Sequence, residues 1–444
     1  MIFSSLVFLI FLILFLILIK SLDKKFYPNL IFLSSYLFYA YSNFYHSLLL
    51  IYLCFIAILQ KENNFKLKLI IPLIILPLLF FKYSNFVLEN LNLLFNYHLT
   101  NINIGKIPIG LSFITFTVIA YVVDLKRRRF NSNHSKIDIL NYIFFFPQLV
   151  AGPILRPSQL MLQLKENFKL NKSNIIFGTS LFSIGLLKKI LIADSISEII
   201  DPIFLNIDAA TSSEIFTAFI LFPNQIYFDF SGYTHMAIGI AIMFNIKIPD
   251  NFNAPYLSSS ISDFWRKWHI TLSSWIRDYI YIPMGGSRGT FLFMLFNTIA
   301  AMTISGLWHG ASYTFIIWGF CNGLIICIEK IFKYDLIKFK KARIIINIFL
   351  VFNLWVLFRC NTLENSIIFY KNLYSPELLN IFLEKYILII ITILMILFQT
   401  IDKTKIYLNF FKNKYYIVYI AILVIIFCMI ISEGQSQKFI YFDF

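Results

Sequence analysis

The sequence predicts an all-α fold: a polytopic integral membrane protein in which helices cross the bilayer and some segments re-enter it. Of the 444 residues, 59% are hydrophobic and only 14% are charged. This balance is typical of chains that place most of their surface in lipid. The polar stretches are all too short for a separate soluble domain, so we treat residues 1–444 as a single transmembrane domain.

The first apolar run, residues 2–19, contains no charged residue and is followed by a lysine cluster at 20–25. A signal peptide carries its positive residues before the apolar core, so this order predicts an uncleaved first helix. Residues 28–60 are too long for one span at about 1.5 Å per residue across a ~30 Å core. Because the polar sequence YSNFYH at 41–46 interrupts this run, we expect a helical hairpin.

Several later apolar segments contain internal proline, such as Pro72, Pro77 and Pro147. Such interruptions predict broken or re-entrant segments, which are tolerated at membrane depth only when they are buried in protein or face water. The sequence shows no repeat of fixed period, which argues against an inverted-repeat transporter. The segments are, in chain order, 69–83, 107–123, 139–154, 175–200, 213–246, 291–308, 311–331, 344–358, 385–400 and 415–431.

Lysine and arginine cluster in short loops between the apolar runs, and loops of this kind face the cytoplasm. The loop at 361–384 is then expected outside, and the span at 415–431 exits again. The tail at 433–444 and the N-terminus are therefore expected on the extracytoplasmic face. The formal net charge of +15 resides largely in these loops, so we expect membrane lipids and no nucleic acid as partners. The clusters are Lys20 to Lys25, Lys61 to Lys68, Lys126 to Arg129, Lys330 to Arg343 and Lys403 to Lys414.

The sequence GLWHGAS at 306–312 places His309 inside an apolar run. An ionisable group in that setting is a functional candidate, although a hydrogen bond within the bundle is the ordinary alternative. Gly306 and Gly310 remove bulk around the ring, which permits the close approach of a helix or of a substrate chain. An imidazole with a pKa near 6.5 can accept a proton from a hydroxyl nucleophile at neutral pH.

A second histidine, His269, lies in DFWRKWHITLSSWIRDYIYIPMGG at 263–286. The block carries five charged residues, and each would cost about 2.5–3.5 kcal/mol at mid-bilayer. The block must therefore line a wet space or be covered by protein. His269 is either the orienting partner of a base or a satisfied histidine in an interfacial aromatic belt. The charged residues are Asp263, Arg266, Lys267, Arg277 and Asp278.

The basic residues of this region either mark the cytoplasmic boundary or bind the phosphates of a nucleotide-bearing donor. The second interpretation places them, with nearby tryptophans, in a cytoplasmic funnel for that donor. No P-loop, dinucleotide fingerprint or GxSxG is present, and the five cysteines include no CxxC, so we expect neither a metal site nor a disulfide framework. The donor-binding candidates are Arg266, Lys267, Arg277, Arg288, Trp265 and Trp308. The remaining histidines, His46, His98, His134 and His235, are expected from their sequence context to have ordinary roles.

Four motifs resemble the membrane-bound O-acyltransferase (MBOAT) family, and within it the bacterial alginate and peptidoglycan O-acetyltransferase branch. They are the run from FDFSGYTHMAIG to IPMGGSRG, the sequence SGLWHGASYTFIIWG, the sequence FFFPQLVAGPILRP at 144–157, and the terminal FIYFDF. His235 stands where that branch is expected to have an aspartate, which leaves the role of this side chain open.

The resemblance implies a helical bundle of about eleven spans with a central cavity open from the cytoplasm. It implies that His309 is catalytic and that His269 shares its pocket. It also implies transfer of an acetyl group from acetyl-coenzyme A across the bacterial cytoplasmic membrane for O-acetylation of a cell-envelope polysaccharide. Peptidoglycan is the first expectation, and alginate or another exopolysaccharide the alternative. An extracytoplasmic SGNH-type acetyltransferase is the expected partner.

Two other classes of function remain open at this point: a flippase for a lipid-linked glycan, with the histidines as a proton relay, and a structural scaffold. The terminal FIYFDF also has two interpretations. It is either an interfacial aromatic anchor or, by its similarity to the terminal motif of the D-alanyl transfer system, a mobile nucleophile. In the second case Tyr441 accepts the acyl group with His309 as its base.

Overall fold

The computed structural model describes residues 1–130, 133–149, 152–334, 338–412, 414–432 and 439. Within these residues the chain is helical throughout and forms no β-strand, so the predicted all-α class is confirmed. The first half contains α1 Leu6–Ser21, α2 Tyr27–Ala40, α3 Phe44–Asn63, α4 Leu67–Leu78, α5 Ser84–Phe95, α6 Leu111–Lys126, α7 Lys136–Phe144, α8 Phe146–Leu149, α9 Pro157–Glu166, α10 Lys172–Leu187 and α11 Ser195–Leu205.

The second half contains α12 Ser212–Met243, α13 Ile261–Lys267, α14 Ile270–Ile276, α15 Phe291–His309, α16 Tyr313–Ile331, α17 Lys340–Arg359, α18 Leu363–Leu373, α19 Leu378–Glu384, α20 Tyr386–Phe398, α21 Thr404–Phe411 and α22 Ile417–Ile431. Three short π-helices interrupt the chain at Leu79–Tyr83, Lys188–Asp194 and Arg277–Tyr281. Short 3-10 turns lie at Lys24–Phe26, Ile207–Ala209 and Pro255–Leu257.

Among the described residues, six helical stretches are long and apolar enough to cross a membrane, and seven if α19 and α20, bent by 72°, form one broken span. The expected number of about eleven is therefore not confirmed. Two apolar runs form shorter helices, α1 and α22. Helix α12 is long but almost entirely buried and carries polar residues along its length. An apolar run in the sequence does not distinguish such elements from spans that face lipid.

The predicted break between α2 and α3 is confirmed, whereas Pro72 and Pro77 do not interrupt α4. Helices α2 and α3 form the expected hairpin, in which the Asn43 side chain accepts hydrogen bonds from two backbone N–H groups at the start of α3. Pro72 and Pro77 lie within α4, which runs into the π-helix Leu79–Tyr83. The 263–286 block forms the short helices α13 and α14 instead of one continuous span.

The centre of the bundle is the crossing of α10 and α12, which pack through small residues. Gly178 faces the backbone of Gly239, and Gly185 faces that of Gly232. A Cβ atom at Gly185 would collide with the Gly232 carbonyl oxygen, so the two backbones touch. Small residues allow this close approach between helices in a membrane.

Helices α15 and α16 make a second close crossing. This crossing holds the C-terminal end of α15 against α16. A Cβ atom at Gly306 would collide with the carbonyl oxygen of Phe315 and would come within 3.1 Å of the Gly319 Cα atom. At Gly310 an added Cβ would collide with the Phe315 ring. Of the two roles predicted for these glycines, the structure confirms the approach of a neighbouring helix.

Candidate active site

His309 is the last residue of α15 and lies in a shell of aromatic rings. Helix α15 ends there because Gly310 adopts an extended conformation, with φ −162°. The His309 side chain is buried, with 3% of the residue exposed. Its ring centroid lies 4.8 Å from that of Trp308, 5.3 Å from Trp318 and 5.1 Å from Phe358. The aromatic shell holds the imidazole at a helix end, away from lipid.

His269 joins α13 to α14 in an unusual backbone conformation. It is fully buried and has φ +42°, in the left-handed region that non-glycine residues rarely occupy. The side chain and carbonyl of Asn251 hold the start of α14 by accepting hydrogen bonds from Thr271 and Ile270. Strained residues held in this way cluster at active sites.

His309 and His269 are both buried, and both lie among aromatic rings. The two also share an aromatic wall, since Phe113 lies 6.3 Å from the His269 ring and 5.4 Å from Trp308, the neighbour of His309. The Phe230 ring makes a T-shaped contact with His269, with 4.6 Å between the ring centroids. We name the aromatic surroundings of the two histidines the histidine pocket. The shared catalytic pocket that the resemblance implies, and the catalytic roles, stay predictions.

The predicted donor-binding residues lie in two settings. Trp308 is in the histidine pocket, and Trp265 donates a hydrogen bond from its indole to Asn322 at 3.0 Å. The cations lie farther out: Arg266 and Arg288 are exposed, and Lys267 is paired with Asp263 at 2.7 Å. Arg277 is exposed and paired with Asp278 at 2.8 Å.

Asp278 is the centre of a charged cluster that the sequence did not reveal. The guanidinium of Arg156 pairs with its carboxylate at 3.2 Å, and Arg127 donates to its carbonyl oxygen at 3.3 Å. Arg156 also lies over the ring of Tyr279, 4.7 Å from its centroid. Arg127 belongs to a cluster assigned to topology, and Arg156 lies within the 144–157 motif, which was the one signal that could have pointed to it. We name Arg127, Arg156, Arg277, Asp278 and Tyr279 the Asp278 cluster.

A column of aromatic rings in contact connects the Asp278 cluster with His309. Tyr279 lies 5.0 Å from Trp275, and Trp275 is stacked on Phe116 at 3.6 Å. Phe116 is in turn stacked on Trp308 at 5.0 Å, and Trp308 contacts His309. The column links a charged rim to the buried imidazole through apolar surface.

A polar cavity of about 580 Å³ lies beyond the end of α15, against residues 310–312. Lys189 pairs there with Asp194 at 2.7 Å and with Asp229 at 2.9 Å. We name this space the Lys189 cavity. It is a cavity at the end of α15, and the central cavity implied by the resemblance is not confirmed.

The tail at 433–444 is represented by Phe439 alone, and Tyr441 lies outside the described residues. Phe439 is fully buried, 5.4 Å from Phe230 and stacked on Tyr233 at 4.8 Å. Phe230 is the residue that makes the T-shaped contact with His269. Part of the tail therefore packs one ring away from the histidine pocket, which the anchor interpretation did not predict.

His235, whose role was open, belongs to a buried ionic network. The ammonium of Lys188 donates to its Nδ1 atom at 3.0 Å and pairs with Asp402 at 2.7 Å. Tyr227 donates to the same carboxylate at 2.6 Å. This network fastens the loop after α20 to the π-helix Lys188–Asp194 and to α12. Of the other histidines, His134 hydrogen-bonds Tyr121 at 2.7 Å.

Comparison with known proteins matches residues 6–369 to the MBOAT, membrane-bound O-acyltransferase family. The chain is 38% identical over 380 residues to the peptidoglycan O-acetyltransferase of Helicobacter pylori, covering 76% of this chain and 71% of that protein. It is 37% identical over 304 residues to the probable alginate O-acetylase AlgI of Azotobacter vinelandii, covering 67% and 60% of the two chains. Over 244 residues it is 27% identical to the teichoic acid D-alanyltransferase of Bacillus subtilis, covering 51% and 59%.

Proposed function

Because this chain belongs to the membrane-bound O-acyltransferase family, we propose that it carries an acetyl group from cytoplasmic acetyl-coenzyme A across the membrane for O-acetylation of a cell-envelope polysaccharide. The membrane O-acyltransferase class predicted from the motifs is confirmed by the family match. The relatives are named as transferases, which favours an enzyme over the flippase and the scaffold considered above.

The observation that carries the proposal is the position of His309 at the end of α15, between a charged cluster and a cavity. On one side the ring column leads to the Asp278 cluster, and on the other the end of α15 borders the Lys189 cavity. By the positive-inside rule, the side bearing Lys126 to Arg129 is cytoplasmic. The donor then enters through the Asp278 cluster, and the acceptor approaches from the Lys189 cavity.

The donor side has the chemistry that coenzyme A requires. Its phosphates suit the guanidinium groups of Arg127, Arg156 and Arg277, since Arg forms charge-assisted hydrogen bonds with phosphate oxygens. Arg266, which is exposed, and Lys267, which is paired with Asp263, stay candidates for the same role from α13. The apolar pantetheine arm and thioester would follow the ring column past Trp275 and Trp308, with Trp265 behind the pocket.

In the chemical step, His309 takes the proton of an attacking hydroxyl, and the oxygen of that hydroxyl forms a bond to the thioester carbonyl carbon. The carbon–sulfur bond then breaks, and the proton passes from His309 to the departing thiolate, which gives an ester and free coenzyme A. His269 supports His309 from the same pocket.

We assign the attacking hydroxyl to Tyr441. Coenzyme A is too highly charged to follow its acyl group outward, so a mobile carrier is needed between the two faces. The burial of Phe439 beside Phe230 supports a tail that reaches the pocket. The tyrosyl ester would then pass its acetyl group to an extracytoplasmic SGNH-type acetyltransferase, which transfers it to a polymer hydroxyl.

Peptidoglycan is the first choice of final acceptor and alginate the second. The peptidoglycan relative is matched over a larger share of both chains than the alginate relative, at nearly the same identity. The location proposed is the bacterial cytoplasmic membrane, with the tail outside.

The test is thioester consumption by the purified protein in proteoliposomes that hold acetyl-coenzyme A inside and the partner with peptidoglycan fragments outside. We expect release of coenzyme A inside and acetylated glycan outside, measured by thiol titration and mass spectrometry. Movement of glycan across the membrane without consumption of the thioester would contradict the proposal and would favour the flippase interpretation.

A further inference from the structure

The last turn of α15 is held by two side chains from the π-helix Leu79–Tyr83. The ammonium of Lys82 donates hydrogen bonds to the carbonyl oxygens of Trp308 and His309, both at 2.6 Å. The hydroxyl of Tyr83 donates to the carbonyl oxygen of Leu307 at 2.5 Å. Three consecutive carbonyls, including that of His309 itself, thus have partners from a distant part of the chain.

These hydrogen bonds satisfy carbonyl oxygens at the end of α15 that would otherwise have no N–H partner. The last carbonyls of a helix have no N–H partner within it, and a positive charge is favourable at a helix C-terminus. A helix often satisfies these groups with a following residue in the left-handed conformation. Gly310 is extended instead, with φ −162°, so Lys82 and Tyr83 perform this function for α15.

The local structure around Lys82 is typical of a functional position. π-Helices are rare and occur frequently at functional sites. The other two in the described chain carry Lys189, which lines the cavity beyond α15, and Asp278, the centre of the charged cluster. Lys82 lines the Lys189 cavity, and within the described residues it forms no ion pair with a carboxylate. An ammonium held on carbonyl oxygens in this way fixes backbone geometry.

We propose that Lys82 is a positioning residue for His309. By holding the carbonyls of Trp308 and His309, it fixes the end of α15 and with it the direction of the imidazole toward the hydroxyl and the thioester. Without Lys82 the last turn is free to fray and the base loses its alignment. The inference rests on the proposed role of His309 as the base.

The variant that tests this is Lys82→Met, which keeps the length of the side chain and removes both donors and the charge. A misplacement of about 1 Å can lower a rate by about 100-fold. We therefore expect kcat to fall about 10- to 100-fold, with the KM for acetyl-coenzyme A within about twofold of the wild type, because Lys82 touches α15 and not the donor rim. Lys82→Arg retains cationic donors and should restore most of kcat.

Two further variants separate positioning from a general loss of structure. Tyr83→Phe removes only the bond to Leu307 and should lower kcat less than Lys82→Met. Lys68→Met changes an exposed lysine of the neighbouring α4 and should leave kcat unchanged. Thermal melting of each purified variant in detergent reports folding. If Lys82→Met does not fold, Lys82→Gln, which keeps one polar donor, replaces it and should show an intermediate kcat.

A folded Lys82→Met or Lys82→Gln variant with wild-type kcat would overturn the inference, as would an effect confined to KM. The parallel variant His309→Ala separates this failure from that of the proposed function. If His309→Ala is inactive and Lys82→Met is fully active, the proposed role of Lys82 is wrong and that of His309 is retained. If His309→Ala is itself active, His309 is not the base, and the proposed role of Lys82 is wrong as well.

Discussion

The ring of Phe439 lies 5.4 Å from the ring of Phe230, in the buried interior of the bundle. The same Phe230 meets His269 edge-on at 4.6 Å. A residue of the C-terminal tail is thus separated from the histidine pocket by one aromatic ring. This relationship makes a chemical role for the tail testable, although Tyr441 lies outside the described residues.

The first prediction concerns that tail. Tyr441→Phe keeps the aromatic ring and removes only the hydroxyl, so it should abolish polymer acylation while membrane insertion is unchanged. Acetylated glycan measured by mass spectrometry is the readout. Tyr419→Phe, at an exposed tyrosine of α22, is the matched control and should acylate normally. Full acylation by Tyr441→Phe would make the tail an anchor and would require direct transfer from the donor.

The second prediction concerns the donor side. Arg277→Glu places a like charge beside Asp278 and opposes the phosphates of the donor. The KM for acetyl-coenzyme A should rise about tenfold, equivalent to about 1.4 kcal/mol of binding free energy, with little change in the yield of membrane protein. The control is Lys371→Glu, an exposed charge reversal on α18.

The orientation on which this prediction depends can be checked separately. Single cysteines introduced in the 263–288 block should react with a membrane-impermeant thiol reagent only after the cytoplasmic face is opened. Labelling of intact cells at these positions would place the donor rim outside and would contradict the assigned topology.

The third prediction concerns stability. Lys188 and Asp402 form an ion pair in which both side chains are at most 3% exposed. Removing one partner leaves a buried charge uncompensated, which typically costs about 3–5 kcal/mol. Asp402→Asn should therefore lower the thermal melting midpoint clearly, whereas Asp23→Asn, in an exposed pair, should leave it nearly unchanged. Equal midpoints for the two variants would show that the network carries no stability.

The candidate site could be predicted in part because its main residues are chemically unusual for their surroundings. His309 and His269 stand out as ionisable groups in apolar or aromatic runs, and the structure places both beside the aromatic wall that contains Phe113. The hydrophobic periodicity and the charge pattern of the sequence could not show which helices pack against each other. Lys82 lies more than 200 residues before His309 in the chain, within an apolar stretch. Its role became visible only when the π-helix and the end of α15 were placed together.

The number of membrane spans could not be predicted from the sequence either, because it also depends on which helices pack against each other. Apolar runs in the sequence include broken helices such as α19 and α20 and a central helix, α12, that is covered by protein. Hydropathy indicates that a segment is shielded from water, but it does not show whether protein or lipid covers that segment. The class of the fold follows from composition, but the arrangement of its helices depends on contacts such as that between Gly185 and Gly232.

The most direct test of the account is the turnover of acetyl-coenzyme A by His309→Ala. The purified variant should fold, with a melting midpoint near that of the wild type, and release coenzyme A at least about 100-fold more slowly, the usual scale for the loss of an acid–base group. His98→Ala, at an exposed histidine in the loop before α6, should turn over normally. A folded His309→Ala protein with near-normal turnover would contradict the account.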